Sequence, residues 1–270
     1  MNMALNCPVR DNISVEKNNP TLTECPDKDI IPSKRSVIIV AGGSGIRMGS
    51  DIPKQFLIMN GKPVLFYSIE QFYKFDNSIK IIVVLPENHI VRWQQICKDY
   101  NFSIPHEITK GGIERFYSVK NALKIVSEKY NDVEQIAVHD GVRPLVSVNL
   151  IELCFKEAEK YQAVVPAIKP SETVRYGNTT TNSIINRDEI FLIQTPQVFE
   201  AKVLIEAYKS DFDKKFTDDA SVVEHFGCKI KLIEGEKDNI KITHKSDISF
   251  CEFFTSSESD IIRKGFNHLQ

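Results

Sequence analysis

The sequence predicts an α/β fold with a doubly wound, mostly parallel sheet. Short apolar runs alternate with helix-like segments from residue 36 onward. The runs are nearly continuous in Val, Ile and Leu, as strands buried on both faces are. Each strand–helix–strand unit then demands a right-handed crossover, which sets the next strand parallel to the last. With 270 residues, there is room for one large domain and an appendage.

The elements follow in order. Residues 1–34 are rich in Asn, Asp, Glu, Lys and Pro and lack apolar periodicity, so they read as a loosely ordered tail. Strands are predicted at 36–41, 79–85, 135–139, 162–168, 190–194 and 229–233. Helices are predicted at 64–75, 88–100, 114–129, 148–160, 200–210, 217–226 and 246–255. Ser147 is placed to cap the helix that follows it, and Thr217 or Asp218 the helix at 217–226. Residues 171–187, SETVRYGNTTTNSIINR, are polar and β-branched around Gly177-Asn178, and read as a hairpin with too little apolar surface for the main core. The domain spans 35–256, with the hairpin arm at about 171–187 and a C-terminal tail at 257–270.

Composition excludes several classes. A net charge of −2 gives no global basic field for nucleic acid. There is no run of 18 apolar residues, hence no predicted membrane span. The tail has no apolar core of a secretory signal. The six cysteines are dispersed, without C-x-x-C or metal spacing, and fit reduced thiols in the cytoplasm.

The most informative stretch is AGGSGIRMGSDIPKQ at 41–55, directly after the first strand. Gly42, Gly43 and Gly45 let the backbone approach a ligand, and successive N–H groups after Ala41 suit a phosphate. Arg47 offers a forked contact to phosphate oxygens, and Lys54 a compact point charge. The stretch is neither a Walker loop nor a dinucleotide fingerprint. It suits a nucleoside triphosphate undergoing phosphoryl or nucleotidyl chemistry.

Three further motifs stand out, and those at Asp140 and at Asp238 with Lys241 lie at or near predicted strand ends, where ligands sit in doubly wound folds. In His139-Asp-Gly-Val-Arg-Pro144, Asp140 is a natural Mg²⁺ ligand, because Mg²⁺ takes few carboxylates and shares itself with phosphates. His139 reads as a packed or hydrogen-bonded residue rather than a catalyst. Lys110-Gly-Gly-Ile-Glu-Arg115, with Ser118, brings two glycines to a helix start, where backbone groups can meet a base edge or ribose. A surface turn is an equal alternative on these residues alone. Glu234-Gly-Glu-Lys-Asp-Asn-Ile-Lys-Ile-Thr243 places Asp238 and Lys241 near a strand end, and alone reads as a charged surface loop.

Taken together, the chain resembles the 2-C-methyl-D-erythritol 4-phosphate cytidylyltransferases. AGGSGIRMG…PKQ, GGIERFYSV, HDGVRP, SETVR…NRDEIF, TPQVF, TDDAS and EGEKDNIKIT occur in that family's order, over roughly 35–256. The resemblance implies a nucleotidyltransferase Rossmann-like domain with a projecting β-hairpin dimerisation arm. It implies transfer of CMP from CTP to methylerythritol phosphate, with release of pyrophosphate, in the non-mevalonate isoprenoid route. It implies Mg²⁺ as cofactor, a homodimer, and neither nucleic acid nor membrane as partner. Carried over, Arg47, Lys54, Arg187 and Lys241 are catalytic. Ala41, Gly42, Gly43, Gly45, Gly112, Arg115 and Ser118 hold the nucleotide. Arg143, Thr173 and Arg187 grip the methylerythritol phosphate, and Asp140 with Asp238 holds the metal. The chain has Ile113 where many relatives have an acid, and Gly141 where alanine is common. A ribitol-5-phosphate cytidylyltransferase shares the glycine loop, PKQ and Lys-Gly-Gly, and a non-catalytic nucleotide-binding domain of the same fold is the alternative of another class.

Overall fold

The computed structural model describes residues 33–43 and 52–256. The expectations for residues 1–32 and 257–270, and those for Gly45 and Arg47, lie outside the described residues.

In chain order the elements are β1 (Arg35–Val40), β2 (Ile58–Met59), β3 (Lys62–Pro63), α1 (Val64–Phe75), β4 (Lys80–Leu85), α2 (Ile90–Asp99) and β5 (Glu107–Lys110). There follow α3 (Arg115–Lys129), β6 (Gln135–Asp140), α4 (Val148–Glu157) and β7 (Ala163–Ile168). The remainder is β8 (Arg175–Gly177), β9 (Asn182–Ile184), β10 (Leu192–Ile193), β11 (Gln197–Glu200), α5 (Ala201–Ala207), α6 (Asp219–His225), β12 (Lys231–Glu234) and α7 (Lys245–Thr255).

The central sheet is parallel across β6, β1, β4 and β5, and again between β7 and β12. Two antiparallel pieces join these halves. β10 pairs with the end of β7, Leu192 opposite Ile168, and β11 pairs with its start, Val198 opposite Val164. Residues 192–200 thus run back along β7 as one interrupted segment, and β11 also closes on β6. A strand in 190–194 was the expectation; the chain instead makes the whole run of 192–200 the seam of the sheet.

Both faces of the sheet are covered, as the apolar strands require. Val37, Ile39, Ile81, Val83 and Leu85 point to one core with Phe66, Phe72, Trp93 and Phe155 from α1, α2 and α4. Ile38, Ile82, Val84, Ile136 and Val138 point to the other, with Phe116, Val119 and Leu204 from α3 and α5. Alternate residues serving opposite cores explain why the runs show no polar interruption.

The hairpin forms where the turn residues predict it. β8 and β9 pair antiparallel from Arg175–Ile184 to Gly177–Asn182, and every residue of both strands is exposed. Gly177 has φ +128, and a Cβ there would lie 2.3 Å from Thr181 O, so only glycine fits. Asn178 Oδ1 accepts from the N–H groups of Thr180 (3.0 Å) and Thr181 (2.7 Å), which fixes the turn.

Candidate active site

A cavity of about 1040 Å³ opens beyond the carboxyl ends of β1, β4 and β6. Strand register places its walls. Val40 lies opposite Val84 on one side and Asp140 on the other, so the loops after β1, β4 and β6 leave the sheet at one level. Ala41, Gly42 and Gly43 form one wall, Lys110–Arg115 a second, and Asp140 with Lys241 the floor between them. Among the described residues, a Cβ built on Gly42 or Gly43 meets nothing within 4 Å, so their packing does not demand glycine at either position. The room beside them is open to a ligand.

Asp140 is the electrostatic centre. Lys241 Nζ lies 3.0 Å and Arg143 Nε 3.5 Å from its Oδ2, while Arg115 Nη2 lies 3.9 Å from its Oδ1. Burial opposes ionisation of this carboxyl, but Arg115, Lys241 and Arg143 outweigh it and hold it well below the usual carboxylate range. It is therefore a charged acceptor throughout the physiological range. Thr195 Oγ1 accepts from the Asp140 N–H at 3.1 Å, so the seam of the sheet fixes the backbone beneath this carboxylate.

Lys54 reaches the cavity from a short 3-10 turn, Lys54–Phe56, opened by Pro53. Gln55 is fully buried and donates to Ala41 O at 2.7 Å, while Phe56 stacks on Trp93. These anchors explain the local order Pro-Lys-Gln-Phe: one residue presets the turn, two lock it, and the lysine is presented. Lys54 Nζ lies 3.4 Å from the carbonyls of Ile242 and Thr243, so it joins the glycine-loop side to the Lys241 segment.

The Lys-Gly-Gly wall is tightly built. Gly111 donates to Leu85 O at 2.8 Å, and Gly112 donates to Ser118 Oγ at 3.0 Å. A Cβ on Gly112 would sit 2.2 Å from Tyr117 Cβ. Ser118, expected beside cytosine and ribose, lines the cavity, but its hydroxyl is spent on Gly112 and on Glu114 O (3.2 Å). It shapes the loop. What Gly111 and Gly112 retain for a ligand is their carbonyl oxygens, since the space a Cβ would take is filled by Ser118 and Tyr117. Ile113, at the rim, is 91% exposed.

Several expected site residues lie apart from this cavity within the described chain. Arg143 does not line it: Nη1 donates to Asn239 O at 2.7 Å, and the side chain is largely buried against Asp140. Asp238 does not line it either, and among the described residues no group of three or more His, Cys, Asp or Glu side chains could hold a metal ion. Thr173 and Arg187 belong to the exposed arm, where Arg187 Nη1 donates to Ser171 O at 2.8 Å.

Two expectations of plain structural roles are met. His139 is fully buried and hydrogen-bonded, and Asp218 caps α6 in a box with Ser221. The residues that sequence reasoning missed are Thr195, Asn239 and Asp219. Asn239 Nδ2 donates to Thr195 O at 2.8 Å, and Asp219 Oδ2 lies 2.6 Å from Arg115 Nη2 in an ion pair. All three sit in motifs already noted, and nothing in their spacing distinguishes a buried polar side chain from an exposed one.

A family model described as 2-C-methyl-D-erythritol 4-phosphate cytidylyltransferase matches residues 36–257. The cytidylyltransferase of that name from Azobacteroides pseudotrichonymphae is 50% identical over 220 residues, 81% of this chain and 97% of the relative. The one from Phocaeicola vulgatus is 48% identical over 218 residues, 81% of this chain and 98% of the relative. Among solved structures, the Francisella tularensis enzyme is 33% identical with a TM-score of 0.68, covering 82% of this chain and 99% of that one.

Proposed function

The chain belongs to the 2-C-methyl-D-erythritol 4-phosphate cytidylyltransferase family, and from that membership we propose how its residues divide the work. The protein transfers CMP from CTP to 2-C-methyl-D-erythritol 4-phosphate, giving 4-diphosphocytidyl-2-C-methyl-D-erythritol and pyrophosphate, in the non-mevalonate synthesis of isoprenoid precursors. The observation that carries the residue assignment is Asp140, a buried carboxylate ringed by Lys241, Arg143 and Arg115 and facing Lys54 and the glycine loop across one cavity.

The chemistry asks for position and charge. An oxygen of the substrate phosphate forms a bond to the α-phosphorus of CTP, and the bond from that phosphorus to the pyrophosphate oxygen breaks. The attacking phosphate is already ionised, so no general base is needed. Lys54 and Arg47, with Lys241, neutralise charge that grows on the α-phosphoryl oxygens. Ala41, Gly42, Gly43 and Gly45 let the triphosphate approach the backbone, and Gly112, Arg115 and Ser118 form the base and ribose end. Arg143 steadies Asp140 from below, and it is Thr173 and Arg187 that meet methylerythritol phosphate.

The donor set fits Mg²⁺ held in its usual way, by one or two carboxylates together with substrate phosphates. Asp140 would supply the carboxylate that lines the cavity, and Asp238, which lies apart from the cavity, is a second carboxylate on the strength of the family resemblance alone. When bound, the ion draws charge from the triphosphate and orients it. Thr173 and Arg187 lie outside the cavity of their own chain, which supports a homodimer in which each arm serves its neighbour. The dispersed cysteines support a reducing, cytoplasmic setting.

Pyrophosphate release with CTP and each polyol phosphate tests the assignment. Turnover is expected with methylerythritol phosphate and not with ribitol 5-phosphate. Equal turnover with both overturns the substrate assignment, and no turnover with either overturns catalysis.

A further inference from the structure

Asp219 carries a buried charge that helix α6 does not need. The cap of that helix is Asp218, whose side chain accepts from Ser221 N–H at 2.9 Å. Asp219, one residue on, is fully buried. An unpaired carboxylate there would be costly, so its partners show what it is for. They are Tyr208, whose hydroxyl donates to Oδ1 at 2.6 Å, and Arg115, whose Nη2 lies 2.6 Å from Oδ2.

The same Arg115 nitrogen lies 3.9 Å from Asp140 Oδ1. The two oxygens of Asp140 are used unequally. Lys241 and Arg143 both lie on Oδ2, at 3.0 and 3.5 Å, whereas among the described residues Oδ1 has only the more distant Arg115 as an ion-pair partner. Arg115 is thus shared between two carboxylates and sits closer to the one outside the reaction. Tyr208 is itself held, stacked on Phe116 with ring centres 4.8 Å apart, and Phe116 is the neighbour of Arg115 on α3. Asp219, Tyr208 and Phe116 therefore form one packed unit behind the guanidinium.

We propose that Asp219 is a positioning residue that draws Arg115 off Asp140 and so keeps Asp140 Oδ1 open to the divalent cation that accompanies CTP. Without that pull, Arg115 closes on Oδ1 and competes with the metal, as two cations compete for any one carboxylate oxygen. Removal of the negative charge also leaves three cations around Asp140 with no second anion to share them. The inference rests on Asp140 as a metal ligand, stated above.

The test is CTP binding by calorimetry without the second substrate, in EDTA and in saturating Mg²⁺. The quantity read is the metal-dependent gain, the ratio of the two Kd values. Asp219→Asn, nearly isosteric, is expected to lower that gain by about 10-fold or more, the usual effect of losing a partner behind a metal ligand. Its CTP affinity in EDTA should fall by less than its affinity in Mg²⁺, since Arg115 also meets the nucleotide. Tyr208→Phe should lower the gain in the same direction by less, and it decides the matter if Asp219→Asn does not fold. Asp140→Asn should abolish the gain. If Asp140→Asn binds with the full gain, the metal assignment fails and takes this inference with it. If Asp140→Asn loses the gain while the folded Asp219 and Tyr208 variants keep it, the inference alone is overturned. A packing role for Asp219 would weaken CTP equally in EDTA and in Mg²⁺, and that result also overturns it.

Discussion

Thr195 Oγ1 lies 3.1 Å from His139 Nδ1, and the same hydroxyl accepts from the Asp140 N–H at 3.1 Å. The Arg143 carbonyl can only accept, so His139 Nε2 carries the proton of the neutral ring and the Thr195 hydroxyl donates to the other nitrogen. His139 Nδ1 is then the acceptor, and Nε2–H donates to Arg143 O at 3.3 Å. The imidazole is thus held neutral in one tautomer, beside the carboxylate that centres the site. Burial enforces this and pushes the ring pKa from 6.5 down to about 4, with Asp140 opposing.

Stability should therefore depend on pH through His139. The unfolded chain takes up a proton on this ring below about pH 6.5, while the folded chain resists until about pH 4. The contribution is complete above pH 6.5 and is lost as pH falls through that window, by roughly 3 kcal/mol in all. Half-buried His106, whose pKa is also lowered, acts in the same direction. Denaturant unfolding at pH 7.0 and 5.0 should show a loss that is smaller in His139→Gln. Equal losses in the two proteins would contradict the buried neutral ring.

Gly42 and Gly112 should respond differently to alanine. The Cβ of Gly42→Ala meets open space, so the variant should melt with the wild type yet bind CTP at least about tenfold more weakly, since the added methyl occupies the ligand's side of the wall. Gly112→Ala puts its Cβ 2.2 Å from Tyr117 Cβ and 3.2 Å from Tyr117 Cα, which forces the loop or α3 to move. It should lose both stability and CTP affinity. A Gly42→Ala protein with unchanged CTP affinity would remove the glycine loop from the nucleotide site.

The strands β1, β4, β6 and β7 and the helices α1, α3, α4 and α7 were legible because their apolar patterns are long. β11 was not, since four residues after Pro196 carry too little pattern to show a strand, and its antiparallel place is decided by β6 and β7. β5 was missed for a related reason: Glu107–Lys110 is a half-buried edge with only Ile108 to mark it. In the site, Lys54, Asp140 and Lys241 converge as their motifs imply. The spending of Ser118 on Gly112 and the burial of Asp219 depend on which face each helix turns inward, and the burial of Arg143 on how the turn after β6 folds back. That is set by tertiary packing, and no local spacing records it.

Lys54 is expected to act on the reaction more than on the fold. It is presented from a turn locked by Gln55, which donates to Ala41 O, and by Phe56, which stacks on Trp93, and neither anchor uses the lysine side chain. Lys54→Ala should lower kcat by about 10²-fold or more, with a melting temperature near that of the wild type. Near-normal turnover in the folded variant would remove Lys54 from the transition state.

The arm makes the sharpest statement about assembly. Its two strands are wholly exposed, Tyr176 is 74% and Ile184 69% exposed, and an isolated two-stranded hairpin is marginal in water. A second chain would cover these side chains and receive Thr173 and Arg187. Mixing two damaged proteins tests this. Arg47→Ala and Arg187→Ala should each be nearly inactive alone. In a mixed dimer with shared sites, one site collects both lesions and the other is intact, so activity should return as subunits exchange, toward about a quarter of wild type in an equal mixture in which half the dimers are mixed. If each arm serves its own chain, every site in the mixture keeps one lesion and no activity returns. Silence after exchange, with exchange itself followed by a fluorescent label on one variant, would confine the arm to its own subunit.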